Sequence, residues 1–83
     1  MWHVYLLRLN DNSLYTGITK DIKNRLKDHR AGNGSKYVRS RLPLKLVYKE
    51  EKETKSLALK REIEIKRWSK SKKEELVSNY KKS

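Results

Sequence analysis

The chain has 83 residues, the size of a single domain with a thin core. It carries 22 Lys and Arg against 10 Asp and Glu, a formal charge of +12, and no cysteine, which excludes disulfides, thiolate metal sites and cysteine nucleophiles. No apolar run approaches the roughly 18 residues needed to span a bilayer, and Arg8 and Asp11 interrupt the first apolar stretch, so neither a membrane span nor a secretory signal is expected and the cytoplasm is the expected compartment.

Residues 2–9 are aromatic, β-branched and aliphatic and predict a strand. Asn10, Asp11, Asn12 and Ser13 form a turn cluster, and residues 14–17 predict a second strand, giving an antiparallel hairpin. Tyr5 and Tyr15 then lie near each other across the hairpin or one strand step apart. Residues 19–30 predict a helix capped by Thr19 or Asp21, with Ile22, Leu26 and His29 on one face and Gly32 or Gly34 ending it. Pro43 opens a third strand over 44–49, whose alternation places Leu44, Leu46 and Tyr48 on one side and Lys45, Val47 and Lys49 on the other. A second helix is expected over 54–67. A third starts at Ser71, where Ser71 and Glu74 match the S-x-x-E capping box ahead of Leu76, Val77 and Tyr80. The order β-β-α-β-α-α predicts one small α/β domain over residues 1–83, a three-stranded antiparallel sheet with helices packed on it. Trp2, Trp68 and Tyr80 are expected in its core, and the chain is expected to act as a monomer.

Excess positive charge repels itself in a folded domain, and a polyanion is the natural reason to carry it. Nucleic acid is therefore the expected partner, ahead of an acidic membrane surface or solubility alone. Residues 30–41 contain Arg30, Lys36, Arg39 and Arg41 with no acid, and Tyr37 between them. A flexible Gly-rich stretch of this kind suits phosphate contact and stacking, and a solvated loop is the plain alternative. The basic residues from Lys60 to Lys73 are diluted by acids and read as a general electrostatic skirt.

Glu62 is the most informative single residue. At about 100° per residue it falls within an apolar stripe of Ala58, Leu59, Ile63 and Ile65. A carboxylate facing a core is costly unless paired, hydrogen-bonded or bound to a cation. The plain reading is an i, i+4 pair with Lys66, both side chains reaching solvent; the other is a cation site. Glu64 points away and reads as surface. Tyr5 and Tyr15 could be ordinary sheet packing, Arg25 a solvated helix residue, and His29 a half-buried core residue. P-loop, dinucleotide-binding and two-His zinc motifs are missing, and with His3 and His29 the only histidines, a His-rich metal site is excluded.

Together these residues resemble the GIY-YIG nuclease superfamily. The first triplet stands here as His3-Val4-Tyr5 and the second as Tyr15-Thr16-Gly17, followed by Arg25, His29 and Glu62. The run from Leu14 to Thr19, then Ala31-Gly32 through Lys36-Tyr37, resembles the small stand-alone bacterial branch, the UPF0213 or YhbQ-like group. The similarity covers about the first seventy residues. His3 replaces the first glycine of the pattern. Thr19 stands in the region where some members carry a lysine, and Asn79 does not align with their late asparagine.

The resemblance implies a metal-dependent endonuclease that hydrolyses DNA with little sequence specificity, DNA being expected ahead of RNA. It implies one Mg²⁺ or Mn²⁺ held by Glu62, with Arg25 offsetting phosphate charge, Tyr5 or Tyr15 orienting or deprotonating water, and His29 sharing that proton or holding a tyrosine. A free tyrosine has a pKa near 10, so Arg25 and the metal would have to lower it. Gly17 would let the backbone approach the substrate. Thr19, Arg30, Lys36, Tyr37, Arg39 and Arg41 would contact nucleic acid, and a partner protein would supply specificity. A catalytically weak or inactive DNA- or RNA-binding module on the same scaffold is the alternative, and charge alone would also suit an RNA- or ribosome-associated accessory protein.

Overall fold

The computed structural model describes residues 1–82; Ser83, the last residue of the expected domain, lies outside the described residues. The elements are β1 (Trp2–Arg8), β2 (Leu14–Thr19), α1 (Ile22–Arg30), α2 (Lys36–Arg39), β3 (Lys45–Lys52), α3 (Lys55–Lys66) and α4 (Lys70–Lys82). The sheet is antiparallel in the order β2-β1-β3, which makes β1 the central strand. That position explains the near-continuous apolar run of β1, because both of its faces are covered. Val4 and Leu6 pack with Val47, Ala58, Ile65 and Val77 on one face. Tyr5, Leu7 and Leu9 pack with Leu26 and Val38 on the other. So α3 and α4 cover one side of the sheet, while α1 and α2 cover the other.

Several local expectations are corrected. The alternation expected in β3 breaks, because Leu6 pairs with Tyr48 while Leu7 pairs with Leu46. Val47 is the extra residue of this bulge, and a bulge shifts the side-chain phase. Leu44 and Leu46 therefore join the Tyr5 face, whereas Val47 and Tyr48 join the Val4 face. The segment after α1 is not simply a loop: Ser35 caps the short α2 by accepting from the Tyr37 N–H at 3.1 Å. Asp21 caps α1 through the Asn24 N–H at 3.1 Å, and Gly32, with φ 82, turns the chain out of the helix. Helix α4 is capped by the Ser69 hydroxyl, which accepts from the Lys72 N–H at 3.2 Å, so Ser71 lies inside the helix. Glu74 is drawn from the expected capping box into a two-point ion pair with Arg8 of β1. Trp2 and Trp68 pack half-buried against the core, but Tyr80 is exposed, with its ring edge-on to Tyr48. Among the described residues, no helix is long and apolar enough to cross a membrane.

Candidate active site

The register of the hairpin places the two tyrosines. Tyr5 stands opposite Gly17, and Tyr15 stands opposite Leu7, two residues along β1. Residues two apart share a sheet face, so both phenols project on the side covered by α1. Gly17 is required by this arrangement. A Cβ there would lie 2.6 Å from the Tyr5 hydroxyl oxygen and 2.7 Å from Cζ. The missing side chain therefore makes room for the Tyr5 ring.

Helix α1 brings Arg25 and His29 to the same place, one turn apart. The fully buried His29 ring meets the Tyr5 hydroxyl through Nε2 at 3.0 Å. The Tyr15 ring stands edge-on to His29, with centroids 5.6 Å apart. Gly34 closes over the imidazole, and a Cβ there would lie 2.8 Å from Cε1. His29 Nδ1 is buried and has no hydrogen-bond partner among the described residues. Buried orphan donors are rarer than under-used acceptors. With Nε2–H the donor to Tyr5, Nδ1 is a bare acceptor; with the Tyr5 O–H the donor to Nε2, Nδ1–H is the orphan. Burial, with the Arg25 charge, holds the His29 pKa below 6.5, so the ring is neutral at pH 7.

Tyr5 is the hub of the group. Burial raises its pKa above the ordinary 10.0, outweighing the Arg25 guanidinium that pulls it down; the Tyr15 and Glu62 charges push it further up. The expected pull of Arg25 on this phenol is present, but desolvation is larger. Arg25 is raised in turn, first by the Tyr5 hydroxyl.

Glu62 projects from α3, and its charge adds only weakly to the upward push on the Tyr5 pKa. Ala58, Glu62 and Ile65 follow i, i+4, i+7, and both flanking residues of that set are buried. Leu59 and Ile63, expected in the same stripe, are exposed instead. The stripe is narrower than its composition suggested, because α3 meets the sheet along one ridge. The expected ion pair with Lys66 exists at 3.4 Å, but the two ends differ: Lys66 is 53% exposed and Glu62 only 15%. The carboxylate stays against the fold while the ammonium reaches solvent.

The nucleic-acid candidates separate into two groups. Arg30, Lys36 and Arg39 are exposed, and Thr19 ends β2, where its hydroxyl accepts from the Asp21 N–H at 3.2 Å. Arg41 and Tyr37 are committed to each other. The guanidinium lies 3.8 Å over the ring, donates to the Tyr37 carbonyl at 3.1 Å and pairs with Asp11 at 2.9 Å. Tyr37 also stacks on Tyr15 at 6.3 Å, which continues the aromatic row away from His29. Sequence reasoning missed Glu50, which accepts from the Tyr48 hydroxyl at 2.7 Å and from Arg61 at 3.0 Å. Burial and this carboxylate push Tyr48 up to about 12. An acid within β3 carried no pattern that marked it.

The hairpin thus sets two phenols on the sheet face where α1 brings Arg25 and the neutral His29. The chain belongs to the GIY-YIG catalytic domain family, whose model matches residues 1–75. It is 50% identical over 76 residues to a UPF0213 protein of Staphylococcus saprophyticus, covering 92% of this chain and 93% of that one. It is also 50% identical over 74 residues to a UPF0213 protein of Staphylococcus aureus, with 89% and 90% covered. The solution structure of a UPF0213 protein from Bacillus halodurans is similar, with a TM-score of 0.61 and 44% identity over 94% of this chain and 84% of that one. Nucleases of this family typically use a divalent metal, and the family points to nucleic acid as substrate.

Proposed function

We propose that this protein is a divalent-metal-dependent endonuclease that hydrolyses DNA phosphodiester bonds with little sequence preference of its own. The observation that carries the reading is the gathering of Tyr15, Arg25 and His29 around Tyr5, with the Glu62 charge felt there from α3.

A hard cation here would rest on a single protein carboxylate. Among the described residues no group of three or more His, Asp or Glu side chains could hold an ion. Glu62 would therefore supply the protein ligand, with water and a substrate phosphate completing the shell, as suits Mg²⁺ or Mn²⁺. When bound, such an ion polarises the phosphodiester and stabilises the leaving oxygen. Arg25 supplies a permanent charge where the attacked phosphate becomes more negative. Tyr15 is only half-buried and is the phenol placed to orient the attacking water. Tyr5, fully buried with its pKa raised, keeps its proton at neutral pH and holds the cluster together. Exposed Arg30, Lys36 and Arg39 would neutralise flanking phosphates.

The burial of Tyr5 also favours a second reading, a weakly catalytic or inactive binding module for DNA or RNA, because a phenol so placed is a poor base. Nicked, branched and single-stranded DNA, each with and without Mn²⁺, separate the two. Wild type is expected to cut, and Glu62→Gln is expected to bind and fold normally without cutting. Equal cutting by both would remove Glu62 from the site. Tight, salt-sensitive binding with no cleavage of any substrate would establish the module.

A further inference from the structure

The two flanks of α3 differ in a way that the catalytic reading does not use. One flank is tied to the sheet, where Arg61 reaches Glu50 of β3 at 3.0 Å and Glu64 at 2.5 Å. The other carries Glu62, and on it Leu59 and Ile63 stand one turn apart. Relative to Glu62 they are i−3 and i+1, so the pair continues outward from the carboxylate. They are 39% and 50% exposed. Lys66 and Lys55 bracket the flank, Lys55 lying with Lys20 over the Trp2 ring at 5.4 and 5.8 Å. Lys60 and Arg67 are exposed at its outer edge.

Single exposed aliphatics are ordinary on any protein surface. This pair differs in its position: an apolar step beside the candidate metal carboxylate, inside a frame of cations. A second copy of the chain would bring those cations against their equivalents on a +12 protein. A polyanion with apolar faces of its own satisfies both features. Proteins that deform nucleic acid often press Leu or Ile against a base step while cations hold the backbone.

Resting on the nuclease reading of Glu62, we infer that Leu59 and Ile63 form a wedge that seats against unstacked bases next to the phosphate at Glu62. The pair would make the protein select nucleic acid that opens easily, at nicks, branches or flexible steps, without reading base identity.

The test uses the full chain in EDTA, so that cleavage plays no part. The probe is a short nicked duplex with 2-aminopurine beside the nick, whose fluorescence rises on unstacking. Leu59→Ser/Ile63→Ser is compared with Leu57→Ser, which alters an aliphatic residue of similar exposure, 46%, away from Glu62. Wild type and Leu57→Ser are expected to brighten the probe. The double variant is expected to lose the brightening and bind about tenfold more weakly or worse, from two lost apolar contacts. Its salt slope should be unchanged, since no phosphate contact is removed. Brightening and affinity equal to Leu57→Ser would overturn the wedge, as would a change confined to oligomeric state or to binding of an acidic protein. A protein that brightens the probe through this pair yet never cuts with Mn²⁺ would keep the wedge and refute the nuclease reading.

Discussion

Alanine at position 17 would add one methyl group where the sheet has no room for it. Its Cβ would lie 2.6 Å from the Tyr5 hydroxyl oxygen, 2.7 Å from Cζ and 3.1 Å from Cε1. Carbon atoms settle at about 3.5–4.0 Å, so the ring or the strand must move by roughly 1 Å. Neither moves freely. The phenol is fully buried and bonded to His29 at 3.0 Å, and its backbone is paired to Gly17 on one side and Lys49 on the other. Overpacking costs about 1–3 kcal/mol, and the displaced hydroxyl forfeits a hydrogen bond of about 1 kcal/mol. The expected loss is about 2–4 kcal/mol, a fall in Tm of about 8 °C or more for a domain of this size. Cleavage should fall further, by about a hundredfold, because a displacement of about 1 Å at a reacting centre has that effect. Circular dichroism melts and a cleavage time course measure the two. Adding Tyr5→Phe should recover only part of the stability, since it removes the 2.6 Å contact and leaves the one at 2.7 Å. A Gly17→Ala protein that melts with wild type and cuts at its rate would refute the packing account of this glycine.

Stability should also depend on pH from both sides. His29 has its pKa depressed below 6.5, so its contribution is complete above that pH and is lost as pH falls through the depressed value, where the unfolded chain binds the extra proton. Urea midpoints should fall below about pH 6.5, and His29→Gln should flatten that slope; an unchanged slope would assign it elsewhere. Tyr5 and Tyr48 are raised above 10.0, Tyr48 to about 12, so their contribution is complete below pH 10.0 and is lost as pH climbs through the raised values. Absorbance titration of phenolate against Tyr5→Phe and Tyr48→Phe checks this directly. Gly34→Ala, which would set a methyl 2.8 Å from His29 Cε1, is expected to cost about 1–3 kcal/mol in urea unfolding. A neutral result would show that the loop yields.

Much of the fold was legible because local signals and burial agreed. Strand β1 reads as a strand from composition alone, and its central place accounts for the apolar run. The hairpin follows from its turn, and α1 from the spacing of Leu26 and His29. The misreadings fall where a local pattern meets a partner that the sequence does not show. Leu59 and Ile63 are apolar, but α3 touches the sheet along Ala58, Glu62 and Ile65. Ser71 matched a capping box, yet Ser69 reaches the free N–H first and Arg8 claims Glu74. The bulge at Val47 left no local mark, because an inserted residue shows only against its partner strand. The candidate site residues stand out by type in the sequence, but their surroundings do not. Burial separates Tyr5 from Tyr15, and burial depends on how α1 and α2 pack on the sheet, which no local pattern states.

The register explains why the two triplets act as one object. The tyrosine of the first stands directly opposite the glycine of the second. The phenol occupies the volume that any side chain at 17 would need, so each motif has its shape because of the other. A slip of one residue in the hairpin would turn Tyr15 to the opposite face and put a bulky residue against Tyr5. The turn from Asn10 to Ser13 is thus part of the site. It fixes the register through the Leu9 N–H, which donates to the Ser13 carbonyl at 3.0 Å, with Asn12 at φ 68. Gly34 repeats the device on the other side of the cluster, giving its side-chain space to His29. Two glycines and one turn therefore set where Tyr5 and His29 meet, and that meeting point is what Tyr15 and Arg25 flank.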